Sequence, residues 1–511
     1  MRLIWTAAAV GLLGLGVASW SAIGQSPERW DPGSMLDGPL TTPDDQALSV
    51  QLNEALDFRV REEYDLFLDA WEPGELLTHA RLTQYELDRA PHGVDALFVA
   101  GDALFEYTFR PEDGLGNALT GSPGGGRPAP NMRRVHLGAF GGPDAFSCAS
   151  CHSLGGPDGA GAQTQNAHFA STDGDSTLAS DSRNPPHVLG LGPIEALARE
   201  MTNALLAQRA EALRRAADTG APVTVTLTAE QVTFGALTAH PDGAVDTSEV
   251  EGVDPDLVVK PFGWKGHQAT LRGMIEESFR VHMGLVSTRL QRQLESGAVP
   301  PQAYGDGPWY DIDGDGVSVE VDDGMLTTMV TYLALLEVPV TRPPQTPRLQ
   351  AAFAQGQALF SEIGCASCHR PRLQLDQPVI TTGTSTNPVT LDVARDGLSP
   401  RPEPIDASES AFFIHLFSDL KRHDLGPELA TRTGQSMITA REFLTRPLWG
   451  LADTAPYLHD GRAPTVHDAI LAHGGEADDA RGRYEALATD DQGAVQVFLL
   501  SLTRRPQVMI P

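Results

Sequence analysis

The chain has 511 residues, 41% of them hydrophobic, and 67 acidic against 37 basic side chains give a formal net charge of −30. That balance excludes nucleic acid as a partner, because its phosphates would be repelled, while it suits a basic electron-transfer protein or simply a well-solvated surface. The length is enough for two or three hydrophobic cores.

In chain order, Arg2 is followed by an apolar run over 3–22 and the small-x-small site Ala22-Ile23-Gly24. This pattern predicts a secretory signal over 1–24 and a periplasmic location, with an uncleaved membrane anchor as the alternative for a run near spanning length. Residues 25–94 form a helical extension, in which Leu52, Leu56, Tyr64, Phe67 and Leu68 keep helical spacing within 48–90 and Trp71-Glu72-Pro73-Gly74 makes a stop. Next comes Phe98-Val99-Ala100-Gly101-Asp102-Ala103-Leu104-Phe105, repeated as Phe353-Ala354-Gln355-Gly356-Gln357-Ala358-Leu359-Phe360. Both read F-x-x-G-x-A-L-F, an internal repeat of one helical unit.

Each copy precedes a C-x-x-C-H, at Cys148-Ala149-Ser150-Cys151-His152 and at Cys365-Ala366-Ser367-Cys368-His369, and these four cysteines are the only ones in the chain. C-x-x-C-H is the attachment sequence of a c-type haem: two thioethers to the porphyrin edge, and the histidine as proximal iron ligand. A thioredoxin-like pair needs no histidine directly after it, and a four-cysteine zinc site would leave both histidines idle. The reading is two covalently bound haems c. Haem attachment takes place outside the cytoplasm, in agreement with the signal.

The first haem unit is assigned to 95–195, with a Gly/Pro-rich loop over 114–130 before its motif. A middle section follows over 196–346, with helices at 194–217, 270–279 and 326–336 and a Val/Thr-alternating strand at 222–228. Within it, Asp311, Asp313 and Asp315 followed by Gly316, with Gly314 between, and Asp322 at the twelfth position follow the EF-hand loop, so a Ca2+ site is expected, although Asp322 is a shorter arm than the usual Glu. The Pro-stiffened segment 341–347 marks the boundary to a second haem domain over 347–511, closed by helices at 465–473 and 490–502. The fold class expected is mainly α: two cytochrome-c-like haem domains with irregular loops and an elaborated middle section.

Further blocks tie the sequence to a known group. Phe146-Ser147 before the first motif, Phe262-Gly263-Trp264-Lys265, His423-Asp424-Leu425-Gly426-Pro427, Pro447-Leu448-Trp449-Gly450-Leu451, Ala455-Pro456-Tyr457-Leu458-His459-Asp460-Gly461-Arg462 and His473-Gly474-Gly475-Glu476-Ala477 resemble the bacterial di-haem oxidoreductases, peroxidase-like and thiol-oxidoreductase-like. These are relatives of the di-haem cytochrome c peroxidases and of the di-haem enzyme that matures methylamine dehydrogenase. The resemblance covers most of 95–503. It implies a distal ligand fourteen positions after His459, which is His473 where the relatives often have Met; Met437 and Met283 are the other candidates. A bis-His haem has a lower potential than a His/Met one. The resemblance further implies a displaceable distal ligand at His168 for the first haem and an acid–base glutamate at Glu195, in Gly192-Pro193-Ile194-Glu195. Glu195 equally suits the first turn of a helix, where it stabilises the dipole. Gln163 and Gln165 are further hydrogen-bond donors on that side, Trp264 and Trp449 are candidates to lie near the haems, and His459 to bond a propionate or the backbone.

The function expected is a periplasmic di-haem oxidoreductase that reduces hydrogen peroxide or another small oxidant with electrons from a small cytochrome c or cupredoxin. An oxidase acting on a protein or organic substrate and a non-enzymatic di-haem electron carrier are the alternatives. No cysteine is left over for thiol exchange.

Overall fold

The structure, a computed structural model, describes residues 81–504 except 90–91, 117–134, 137–143, 170–179, 300–307, 313–315 and 436. The expected signal and most of the helical extension therefore lie outside the described residues, as do Asp313 and Asp315. Among the described residues, no helix is long and apolar enough to cross a membrane.

Among the described residues, ten α-helices follow one another: α1 (Gln84–Arg89), α2 (Val94–Glu106), α3 (Leu191–Thr219), α4 (Leu271–Ser278), α5 (Thr288–Glu295), α6 (Asp323–Leu335), α7 (Pro347–Glu362), α8 (Val466–Leu471), α9 (Asp478–Glu485) and α10 (Thr489–Leu499). Side-chain caps set several of their starts: Thr270 accepts from Gly273 N–H, Thr465 from Asp468 N–H and Asp322 from Gly324 N–H.

The expectation of a mainly α fold is overturned. Helix makes up 37% and strand 17% of the described residues, with the strands in several small sheets. One sheet joins β1 (Val135–His136), β2 (Ala167–Phe169) and β3 (Asp181–Arg183), and a meander joins β4 (Val223–Ala229), β5 (Val232–Ala239) and β6 (Val245–Asp246). Further on, β7 (Val340–Thr341) pairs with the last strand, and β8 (Leu373–Leu375), β9 (Val379–Gly383), β10 (Pro388–Asp392), β11 (Glu403–Pro404), β12 (Phe412–Ile414), β13 (Arg422–Asp424), β14 (Glu442–Leu444) and β15 (Leu502–Thr503) make small antiparallel sheets. Strands of two or three residues carry no readable period-two pattern, so segments taken for irregular loop prove to be paired backbone. Strand β4 alternates Val and Thr clearly enough to be recognised, whereas the longer β5 breaks its alternation in the middle. Strand β5 follows a two-residue turn, Glu230-Gln231, with both residues in the left-handed region, a turn usually signalled by Asn-Gly.

The F-x-x-G-x-A-L-F repeat has a packing reason. Helix α2 lies against α6, and α7 lies against α10. At Gly101 an added Cβ would press into the Thr328 carbonyl, and at Gly356 into the Ala494 carbonyl. The repeated glycine is where each helix touches its partner's backbone. Helix α6 is buried on every side, so it reads as apolar all round rather than amphipathic. Cys148 and Ala149 pack on the larger core, which contains Leu104, Phe105, Met329 and Leu333; Cys365 and Ala366 pack on a second one built from Phe360, Tyr457, Tyr484 and Phe498. Each cysteine motif is thus seated at the end of a helix that is itself fixed by a close crossing.

Gly356→Val should cost about 3 kcal/mol or more by overpacking this crossing. Gly482→Ala, on α9 with open space around the position, should be neutral or slightly stabilising. Urea unfolding of the two holoprotein variants checks the contrast.

Candidate functional site

At the second motif, α7 ends and Gly364, in the left-handed region, turns the chain into a short 3-10 turn, Cys365–Ser367. Ser367 Oγ donates to Gly364 O at 2.7 Å and His369 N–H to Cys365 O at 3.0 Å, closing the turn. His369 Nδ1 lies 3.1 Å from the Phe417 carbonyl. A carbonyl can only accept, so Nδ1 carries the proton and the Nε2 lone pair is left for a metal. Across from it, His473 just beyond α8 does the same, with Nδ1 donating to Ala469 O at 2.7 Å. The two rings face each other with centroids 6.4 Å apart. Two metal–imidazole bonds of about 2 Å require about this separation. Burial holds both rings neutral, the form that binds metal: His369 is pushed down to about 4 by burial and by His473 beside it, and His473 is lowered by burial.

The pair opens on a cavity of about 260 Å³, walled by Cys365, Cys368, Leu448, Tyr457, Trp264 and Trp449 among others. Its polar fittings suit an anionic, planar group. Trp449 Nε1 is buried with no hydrogen-bond partner among the described residues. The Arg446 guanidinium stands over the Trp264 ring at 5.4 Å, and burial lowers it to about 10. A donor and a cation of this kind match haem propionates. His459 stacks on Phe443 at 4.6 Å in the same wall. Behind Phe443, Lys265 of the F-G-W-K block is fully buried, its Nζ 3.7 Å from the ring centroid and donating to Ala440 O at 2.7 Å and Glu442 O at 2.8 Å. Burial pushes Lys265 down to about 7. The ligand atoms of Cys368, Asp419 and His423 lie within 4.8 Å of one another, but both His423 nitrogens are bonded to carboxylates, Nε2 to Asp419 at 2.9 Å and Nδ1 to Glu476 at 2.7 Å. No imidazole lone pair is left there for a metal.

The first motif repeats the arrangement. Ala149 N–H donates to Phe105 O at the end of α2, and His152 N–H to Cys148 O, both at 3.1 Å. His152 Nδ1 donates to Pro186 O at 2.9 Å, and burial pushes the ring down to about 4. Gln165 is spent on the motif's own backbone, donating to Ser150 O at 2.6 Å, while Gln163 is exposed. Arg504, after β15, donates to Gly155 O at 3.4 Å and to Pro157 O and pairs with buried Glu337, which ties the loop after this motif to the end of the chain. The two sites share a wall: Pro186, which holds His152, also lines the cavity of the second motif together with Asn184, Pro185 and His187.

The sequence-derived candidates separate at this point. Cys365, Cys368, His369 and His473 come together in one cavity, and Cys148, Cys151 and His152 in one turn. His168 sits on β2 with Nδ1 against Ser180 Oγ at 3.1 Å and Ser182 Oγ at 3.0 Å. Glu195 accepts from Leu271 N–H at 2.6 Å, so its carboxylate serves the N-terminus of α4, and burial raises its pKa. Met437 is 70% exposed at a turn, and Met283 is buried. Of the calcium loop, Asp311 accepts from Gly316 N–H at 3.3 Å, whereas Asp322 is engaged as the cap of α6 and by Gln84 N–H. His187 was not flagged by the sequence. Its Nε2 donates to Trp449 O at 3.0 Å and its Nδ1 accepts from Leu189 N–H at 3.2 Å. A histidine after two prolines carries no signal of such a place.

A family model described as "Di-haem oxidoreductase, putative peroxidase" matches residues 243–502, half of the chain. The chain belongs to the di-haem oxidoreductase family. No curated protein matches it. Among solved structures, it is similar to the xenon-pressurised hydrazine synthase of Kuenenia stuttgartiensis, with 18% identity over 36% of this chain and 57% of that one and a TM-score of 0.22, so it spans a little over half of that chain. It is also similar to a MauG-like protein associated with microbial copper homeostasis, with 15% identity over 53% of this chain and 79% of that one and a TM-score of 0.24. As a di-haem oxidoreductase, the chain uses haem cofactors, and His152, His369 and His473 each have Nδ1 tied to a backbone carbonyl.

Lys265 gives a pH signature in this di-haem oxidoreductase. Its folded pKa is about 7, below the ordinary lysine value of 10.5, so the unfolded chain holds more protons between those two values. Stability contributed by this site should therefore rise with pH from about 7 toward 10, by up to about 1.4 kcal/mol per pH unit. Lys265→Met should remove that rise in urea melts recorded across the range.

Proposed function

We propose that the chain is an exported enzyme in which both C-x-x-C-H motifs bind haem c covalently, through Cys148 and Cys151 and through Cys365 and Cys368. His152 and His369 serve as the proximal ligands. The observation that carries the reading is the His369–His473 pair, two neutral imidazoles facing each other at metal-bridging distance with both Nδ1 protons tied to carbonyls. A haem held by His369 and His473 would have no open position and would suit electron transfer. A haem held by His152 would then be the reacting one, with hydrogen peroxide as the substrate, which two electrons and two protons convert to two waters.

Bound haem supplies one-electron steps and a Lewis-acidic iron; the chain supplies orientation and proton traffic. Pro186 and Phe417 fix the two proximal rings through their carbonyls. Segment 184–187 stands between the two sites and gives electrons a short covalent and hydrogen-bonded route. A small periplasmic cytochrome or cupredoxin, drawn by the acidic surface, is the electron donor.

Carbon monoxide binding to the fully reduced holoprotein tests this. Wild type should take up one carbon monoxide per two haems, and His473→Ala should take up two. No binding by the wild type would leave a permanently closed electron carrier instead of an enzyme. Two equivalents bound by the wild type would contradict the role given to His473.

A further inference from the structure

His423 lines the cavity of the second motif, and the proposed reaction makes no use of it. It sits in β13 across from Phe443 of β14. Successive strand residues point to opposite faces, and its neighbour Arg422 turns away to donate to Asp254 at 2.5 Å. Both nitrogens of the His423 ring meet carboxylates, Nε2 that of Asp419 at 2.9 Å and Nδ1 that of Glu476 at 2.7 Å. A carboxylate can only accept, so both nitrogens donate and the ring is an imidazolium. Burial alone would discharge it, but the hydrogen bond to Asp419 outweighs burial and holds the ring above the ordinary histidine range.

The two carboxylates come from the two segments that carry the facing imidazoles. Asp419 closely follows Phe417, whose carbonyl holds His369. Glu476 closely follows His473 and also accepts from Asp424 N–H at 2.8 Å. The charged ring therefore joins the proximal side of the site to the opposite one. It also stands at the attachment edge, since Cys368 Sγ lies within 4.8 Å of a His423 nitrogen and of an Asp419 oxygen. Asp419 is buried and accepts from Lys421 N–H at 3.0 Å, whereas Glu476 is exposed, where water and salt screen it. Two opposite charges in a dry place thus face one sulfur.

We propose that His423 is a positioning residue for electron entry: it sets a fixed positive charge against Asp419 at the Cys368 edge and so keeps the second haem reducible by the donor. This rests on the reading that Cys365, Cys368 and His369 hold a haem closed by His473. Two imidazole ligands already lower the potential of an iron, and a lone buried carboxylate at the haem edge would favour the ferric state further. A cation in the same place acts in the other direction. The step it eases is the passage of one electron from the metal of the small redox donor to the ferric iron, with no bond made or broken and no proton moved.

Spectroelectrochemical titration of the di-haem holoprotein, following the low-spin spectrum of the closed haem, tests this without turnover. At a fixed applied potential, His423→Leu should shift the ferrous-to-ferric ratio of that haem about 10-fold toward ferric. Asp419→Asn should shift it toward ferrous, and Glu476→Gln, at the screened end, should shift it less than Asp419→Asn does. A purely structural triad would move the potential in the same direction in the His423 and Asp419 variants, or leave it unmoved; either result overturns the inference. If His423→Leu loses its fold, Asp419→Asn against Glu476→Gln decides alone, and a shift in Asp419→Asn no larger than that in Glu476→Gln overturns it. These failures leave the closed second haem standing as long as the wild type takes up one carbon monoxide per two haems. A wild type that takes up two overturns the underlying reading and the inference with it.

Discussion

Both cysteine motifs depend on one constraint, the backbone-to-backbone approach of paired helices. A C-x-x-C-H turn is short and has no core of its own, so its position is only as firm as the helix before it. In each half of the repeat that helix is fixed by a glycine lying on the carbonyl of a second helix, Gly101 on Thr328 and Gly356 on Ala494. Interiors at crystal-like density transmit such placements with little slack. The cysteines then pack on the cores these crossings create, and their histidines come to rest beside carbonyls that no sheet or helix has claimed.

The need for such carbonyls accounts for much of the irregular chain. Phe417 lies in the left-handed region, which a bulky residue adopts only when its surroundings demand it, and its carbonyl holds His369. Pro186 follows another proline, and its carbonyl accepts from His152. The short sheets fix these loops in place. Thus β13 and β14 frame His423 and Phe443, and β2 and β3 lead into the wall shared by the two sites.

How much of this could be read from the sequence depended on the range of the interaction. The motifs, the repeat, α3 and the strand β4 follow local rules and appear where the sequence suggests. His473 follows from a spacing after His459 that the resemblance implies, and its ring faces that of His369. His168 follows from a spacing and Glu195 from the likeness of its segment to the relatives' motif, and the partners the fold brings to them are Ser180, Ser182 and the Leu271 N–H. Asp322 matched a loop pattern and is used as a helix cap. His187 and Arg446 acquire their surroundings from segments remote in the chain, and a single side chain in a loop carries no mark of that. The small sheets were missed for a related reason: a strand of three residues is a tertiary event.

The acceptors chosen for the proximal rings have an electronic consequence. A carboxylate behind an imidazole draws the Nδ1 proton toward itself and makes the ring a stronger donor to iron, as a thiolate does when it pushes electron density toward a bound oxygen. Amide carbonyls are weaker acceptors and leave the ring a neutral, moderate donor. With Pro186 and Phe417 in that place, little push comes from the proximal side. On the proposed reading, bond cleavage at an iron held there would have to be driven mainly by pull, from proton donors on the opposite face.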